Sequence, residues 1–273
     1  MEIITALVVL AIIAVICAVL LTVSATLFAV KENEKVLAVR DCLPGANCGA
    51  CGYSGCDGYA KALGEGECDN PSLCIPGGDG VAKEIGEIMG LSAGDVVEKV
   101  AYVACNGSCK PEERKYVYDG IHTCAAANMS YSGDRDCTFA CLGYGDCMAV
   151  CPRNAITINP DKCIAEVDPK KCIGCGLCQK ACPNNIIHIV EDTVRVVVKC
   201  SSHDKGAQVR KVCSNGCIGC MKCQKTCPEG AIKVENNLAV IDYSKCTGCG
   251  ACHDVCPVKC IHHGNFICGA HFE

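Results

Sequence analysis

Tryptophan is absent from this sequence and phenylalanine occurs only four times. An aromatic-poor core is therefore expected, and something else must fill part of the interior. There is also no Gly-x-Gly-x-x-Gly turn behind a strand and no Walker-type phosphate loop, so the familiar backbone cradles for dinucleotides and nucleoside triphosphates are missing. A net charge of −5 lacks the basic footprint of a nucleic-acid binder, and no nucleic acid is expected as a partner. The seven histidines, among them His122, His188, His203 and the His262–His263 pair, have no evident acid–base partner. They read as surface or strand-end residues, and no catalytic residue is assigned. Charge is missing altogether from Ile3 to Val30.

What is present is sulfur: 31 cysteines in 273 residues. The organising stretch is Cys172-Ile-Gly-Cys-Gly-Leu-Cys-Gln-Lys-Ala-Cys182-Pro183. Three cysteines at every third position, then a fourth followed by proline, form the ligand run of bacterial two-cluster ferredoxins. Soft thiolates converging in this way suit a cube of iron and sulfide. Zinc is the competing reading, and the repeated third cysteine and terminal Cys-Pro argue against it. The run recurs at Cys217, Cys220, Cys223 and Cys227-Pro228, and again at Cys246, Cys249, Cys252 and Cys256-Pro257.

A fourth repeat is disguised. Cys141, Cys147 and Cys151-Pro152 fall on ligand positions, but Tyr144 stands where the second cysteine belongs. Cys137 is the expected replacement; alternatively it serves a group with Cys105, leaving a cluster short of one thiolate. In two-cluster ferredoxins the fourth cysteine crosses to the other cube. The expected sets are therefore Cys137, Cys141, Cys147 and Cys182; Cys172, Cys175, Cys178 and Cys151; Cys217, Cys220, Cys223 and Cys256; and Cys246, Cys249, Cys252 and Cys227. Similar tails follow each Cys-Pro and end at Ile158, Ile189, Val234 and His263, as expected of a duplicated strand. Further strands are predicted at 163–167 and 238–241.

Upstream, Cys48, Cys51, Cys56 and Cys74 lie among glycines that permit close backbone approach. Their spacing alone fits either zinc or an iron–sulfur cube. Cys42 and Cys68 are expected to be non-ligands. The stretch from Asp79 to Val103 reads as helix broken at Gly90. Cys105, Cys109 and Cys124 either form a possible extra metal site, with a fourth ligand such as Cys137, or are plain connector thiols. Cys163, Cys200, Cys213, Cys260 and Cys268 fall outside the pattern.

The expected architecture is α+β. A transmembrane helix (1–30) precedes a small cysteine-rich cluster domain (31–100) and a cysteine-containing connector (101–136). Two tandem ferredoxin-like modules (137–198 and 217–273) follow, joined by a linker (199–216). A helix of the length of the apolar run exceeds the roughly 30 Å hydrocarbon core, so a single pass is expected. Glu2 stands where a signal peptide would be basic, and no cleavage site is evident. Lys31, Lys35 and Arg40 follow the run, which places the rest in the cytoplasm of a cell-membrane protein. The reducing cytoplasm also suits so many thiols.

The N-terminal motif Leu43-Pro-Gly-Ala-Asn-Cys48-Gly-Ala-Cys51-Gly-Tyr-Ser-Gly-Cys56, the later Pro76-Gly-Gly78, the apolar first segment and the trailing repeats resemble the B subunit of the Rnf complex. That complex is a membrane-bound, ion-translocating ferredoxin:NAD⁺ oxidoreductase. The insert with Cys105, Cys109 and Cys124 looks like the form found in anaerobic bacteria. The resemblance decides for iron–sulfur at Cys48, Cys51, Cys56 and Cys74. It implies about five [4Fe-4S] clusters, or six with the extra site. It also implies reduced soluble ferredoxin as donor, flavin-bearing and NADH-binding membrane subunits as partners, and coupling to Na⁺ or H⁺ transport. A second expectation is a membrane-anchored polyferredoxin that reduces a sensor or a nitrogenase-type acceptor without pumping.

Charge is distributed unevenly. From Lys162 to Lys233 there are 12 Lys and Arg against 6 Asp and Glu, a net of +6; from Lys31 to Val100 the counts are 6 against 12, a net of −6. A basic face would steer an acidic donor.

Overall fold

The computed structural model describes residues 2–27, 33–94, 96–108 and 114–264. Helix α1 spans Glu2–Leu27. Its side chains are described at position 7 and from 10 to 24, and all of these are exposed. Among the described residues no helix is long and apolar enough to cross a membrane. Lys31, Cys109 and Cys268 lie outside the described residues.

The N-terminal domain packs α2 (Glu34–Cys42), α3 (Cys56–Gly64) and α4 (Gly78–Met89) around Val39, Tyr59, Leu63 and Ile85, all nearly inaccessible. Full burial of each such side chain contributes about 1.5–3 kcal/mol. Tyr59 satisfies its hydroxyl by donating to the Asn70 carbonyl at 2.8 Å. Gly90 ends α4 in a left-handed conformation, φ 69°, and its N–H bonds the Gly86 carbonyl. The helix does not resume. Lys99–Val103 forms strand β1 instead, with Val100, Ala101 and Val103 buried and its two valines suited to a strand.

The described strands pair antiparallel in two-stranded sheets. In the first module β1 pairs with β4 (Ile187–Glu191), and β2 (Ile156–Asn159) pairs with β3 (Ile164–Val167). The second module repeats this: β5 (Val196–Val198) pairs with β8 (Ile261–His263), and β6 (Ile232–Glu235) with β7 (Leu238–Ile241). Each module therefore borrows its first strand from upstream of its first motif. Short helices α6 (Asp146–Ala149), α7 (Leu177–Ala181), α9 (Lys222–Thr226) and α10 (Ala251–Asp254) carry the third cysteine of each motif. The remaining two are α5 (Cys124–Met129), in the connector, and α8 (Gly206–Val212), in the linker.

A candidate chain of iron–sulfur sites

The motif geometry follows from a few backbone requirements. Gly174 has φ 62°, and a Cβ there would sit 2.4 Å from the Lys99 carbonyl, so only glycine lets the motif lie under β1. Gly176 caps α7 in the left-handed region and turns Cys178 inward, where it is buried. Cys182 precedes Pro183 and is extended, φ −82°, ψ 112°. A proline disfavours helix for the residue before it, and that extension carries the fourth cysteine away from its own loop. Cys227 repeats this before Pro228.

Five groups of sulfurs result. Cys48, Cys51 and Cys56 surround Cys74, whose thiol is pushed up to about 11 by burial and then by those three neighbours. Cys151, Cys172, Cys175 and Cys178 line one cavity of about 340 Å³. Cys227, Cys246, Cys249 and Cys252 line another of about 350 Å³. Cys217, Cys220 and Cys256 act together on Cys223, which burial pushes up to about 11. These four groups are those expected from spacing.

The fifth group differs. A cavity of about 340 Å³ is lined by Cys141, Cys147 and Cys182 together with Cys124, not Cys137. Cys124 arrives there because α5 is held at its start by Asp146, which accepts the Cys124 N–H at 2.7 Å and the Ala125 N–H at 2.9 Å. Tyr144 does not replace a ligand; its hydroxyl donates to the buried Asp134 at 3.2 Å, and Asp134 also pairs with Arg114. Burial pushes the Cys147 thiol up to about 12, with Cys141, Cys124, Cys182 and Cys178 adding to the rise. Cys137 lies elsewhere, lining a cavity with Cys105, Cys200 and Cys213, whose wall Cys141 also reaches. The expected grouping of Cys105 with Cys124 is thus replaced by two separate sets. The sequence signal for Cys124 is Asp146, next to the ligand Cys147, but it is readable only once the connector is folded back.

The residues fit iron–sulfur chemistry. Backbone N–H groups donate to sulfur from Ala101 to Cys172 at 3.4 Å, from Ala155 to Cys151 at 3.3 Å and from Ala165 to Cys141 at 3.4 Å. Such bonds stabilise thiolate charge and tune cluster potential. Cys260 adds a side-chain contact: its thiol holds Cys217 below the ordinary thiol value and lies 3.7 Å from Cys256. Buried thiols raised to 11 or 12 would not ionise alone, whereas a bound metal deprotonates a coordinating thiol outright.

Neighbouring groups touch. Lys180, beside Cys182, donates its ammonium to the Cys48 carbonyl at 3.2 Å. The charge of Cys48 is also felt at Cys175. Paired antiparallel modules with crossed fourth cysteines, preceded by another four-sulfur site, define the class: an iron–sulfur protein of polyferredoxin type.

Comparison with known proteins narrows this. The family description "Putative Fe-S cluster" matches residues 43–76, "4Fe-4S binding domain" matches 165–188 and "4Fe-4S dicluster domain" matches 210–263. The chain is 42% identical over 241 residues to the B subunit of the Na⁺-translocating ferredoxin:NAD⁺ oxidoreductase complex of Acetobacterium woodii, covering 88% of this chain and 72% of the relative. It is 46% identical over 218 residues to the proton-translocating counterpart of Clostridium ljungdahlii, covering 80% and 76%. It is 39% identical over 227 residues to the B subunit of the ion-translocating oxidoreductase complex of Methanosarcina acetivorans, covering 83% and 85%. The chain belongs to the family of Rnf complex B subunits.

Proposed function

We propose that this chain is the electron-entry subunit of a membrane-bound, ion-translocating ferredoxin:NAD⁺ oxidoreductase, passing single electrons from reduced ferredoxin to membrane partners. The five sulfur groups described above would each hold a [4Fe-4S] cube, with Cys124 completing the set of Cys141, Cys147 and Cys182. When bound, the cubes supply one-electron redox chemistry; the polypeptide's part is to hold them, space them and set their potentials. The observation that carries this reading is the contact between groups: Lys180, beside Cys182, ties the Cys48 site to the first module.

The direction of flow follows from placement. The Cys48 domain follows, in sequence, the uncharged run from Ile3 to Val30, which as a helix would rise about 42 Å, enough for a membrane anchor. Its described side chains, such as Leu20 and Leu21, are 61% and 70% exposed, as lipid-facing residues would be. The Cys48 site is thus the exit toward flavin-bearing and NADH-binding subunits, and the modules with their net +6 stretch receive the acidic donor.

The test is rapid reduction of the intact complex by reduced ferredoxin. Cys48→Ser is expected to leave the module clusters reducible while abolishing NAD⁺ reduction. The reduction rate is expected to fall as salt rises. Undiminished NAD⁺ reduction in Cys48→Ser would remove this site from the path.

A further inference from the structure

The cavity between the two modules is lined by four cysteines that no ferredoxin motif contains. We propose that Cys105, Cys137, Cys200 and Cys213 hold one further iron–sulfur cube, which completes the electron path from the second module to the first. Such a cube extends the relay proposed above, and its role rests on that relay.

Four separate segments converge here. Cys105 follows β1, Cys137 lies in the loop before the disguised motif, Cys200 follows β5, and Cys213 sits at the C-cap of α8. Sulfurs brought together from positions 105 to 213 are not a by-product of local spacing. The cavity, counted together with the solvent open to it, spans about 550 Å³, against 340–350 Å³ counted the same way at three of the motif-held groups.

The sulfurs are also dressed like those of the motif sites. The Cys141 N–H lies 3.4 Å from the Cys105 sulfur. The Cys200 sulfur accepts from Cys217 at 3.2 Å and from Ser202 at 3.5 Å. The two donors Cys141 and Cys217 are themselves ligands of the adjacent cubes, one in each module. A cube in this cavity would therefore be hydrogen-bonded through its ligands to both neighbours.

Charge points the same way. A cube on four thiolates is negative in both redox states. Arg135, only 4% exposed, lines the cavity, and its Nε has no partner among the described residues. Lys199 lines it as well. A buried guanidinium with an unused N–H beside four sulfurs calls for an anionic occupant. The step is a one-electron exchange: the reduced cube of the second module is oxidised as this one is reduced, with no bond or proton involved.

The test is iron, sulfide and zinc quantitation, with spin quantitation after full reduction, on the full chain isolated without oxygen. About 24 irons and no zinc are expected, and Cys137→Ser and Cys200→Ser are each expected to lose about four irons or convert that signal to an altered cluster. Cys42→Ser, a half-buried non-ligand, is the control and keeps the full count. About 20 irons in the unaltered chain, or one zinc that Cys200→Ser removes, overturns the proposal while leaving the relay intact. The unaltered count decides the matter even where a variant does not fold. Near-zero iron would instead sink the relay itself.

Discussion

The carboxylate of Asp146 accepts the backbone N–H of Cys124 at 2.7 Å, across 22 positions of chain. That bond fastens the connector to the residue preceding Cys147 and decides which sulfur completes the group in the first module. Charge-assisted bonds of this kind are worth about 1.5–3 kcal/mol. Asp146→Ala is expected to release Cys124 and convert one cube to a three-iron species. Its oxidised-state paramagnetic signal, absent from the parent protein, is the readout. An unchanged spectrum would mean that α5 is held in place by its packing alone.

Cys260 is not a ligand in any group, yet its thiol holds Cys217 below the ordinary thiol value and lies 3.7 Å from Cys256. Donors to ligand sulfur favour the more negative, reduced cluster. Cys260→Ala is expected to lower the potential of that cube by about 20–40 mV, the equivalent of about 0.5–1 kcal/mol for one electron. A redox titration followed by spin resonance measures this, and iron content should stay constant.

The metal-free form should respond to alkali where the iron-loaded form does not. Burial raises the thiols of Cys74, Cys178 and Cys252 from 9.0 to about 11 in the folded chain. A raised thiol contributes stability that is fully present below its unfolded value and disappears as pH climbs through its folded value. The metal-free protein should therefore lose stability between about pH 9 and pH 11. In the loaded form these sulfurs carry no proton to lose, and the window should be flat. Denaturant midpoints across that range distinguish the two.

Met221 stands at the left-handed cap of α9, φ 59°, where Gly145, Gly176 and Gly250 serve the other three motif helices. A side chain in that region costs about 1–2 kcal/mol. Met221→Gly, at a residue 47% exposed, is expected to raise stability by about 1 kcal/mol. Thermal unfolding of the loaded protein checks it, with unchanged iron content as the condition.

The repeats make much of this molecule legible in its sequence. Strands β4, β6 and β8 fall on the tails of their motifs, because a duplicated Cys-Pro fixes where a chain turns and restarts. The same spacing points to the sets around Cys74, Cys178, Cys223 and Cys252 that the structure assembles. What remained opaque depends on distant partners. Lys99–Val103 reads as helix by continuity from α4, and only pairing with Ile187–Glu191 makes it a strand. Cys200 and Cys213 look like spare linker thiols because nothing near them in sequence reveals that Cys137 lies across the same cavity. The placement of Cys124 hangs on one carboxylate. Motif spacing speaks for contacts within a loop and is silent on contacts between loops.

Strand β5 leaves the first module only a few positions after β4 and at once pairs with β8 of the second. Such a splice keeps the modules from drifting apart as beads on a string would. Gaps between successive redox centres are then set when the polypeptide folds and remain set at every turnover. Internal conduction should be indifferent to solvent viscosity, which can slow only the collision that delivers each electron.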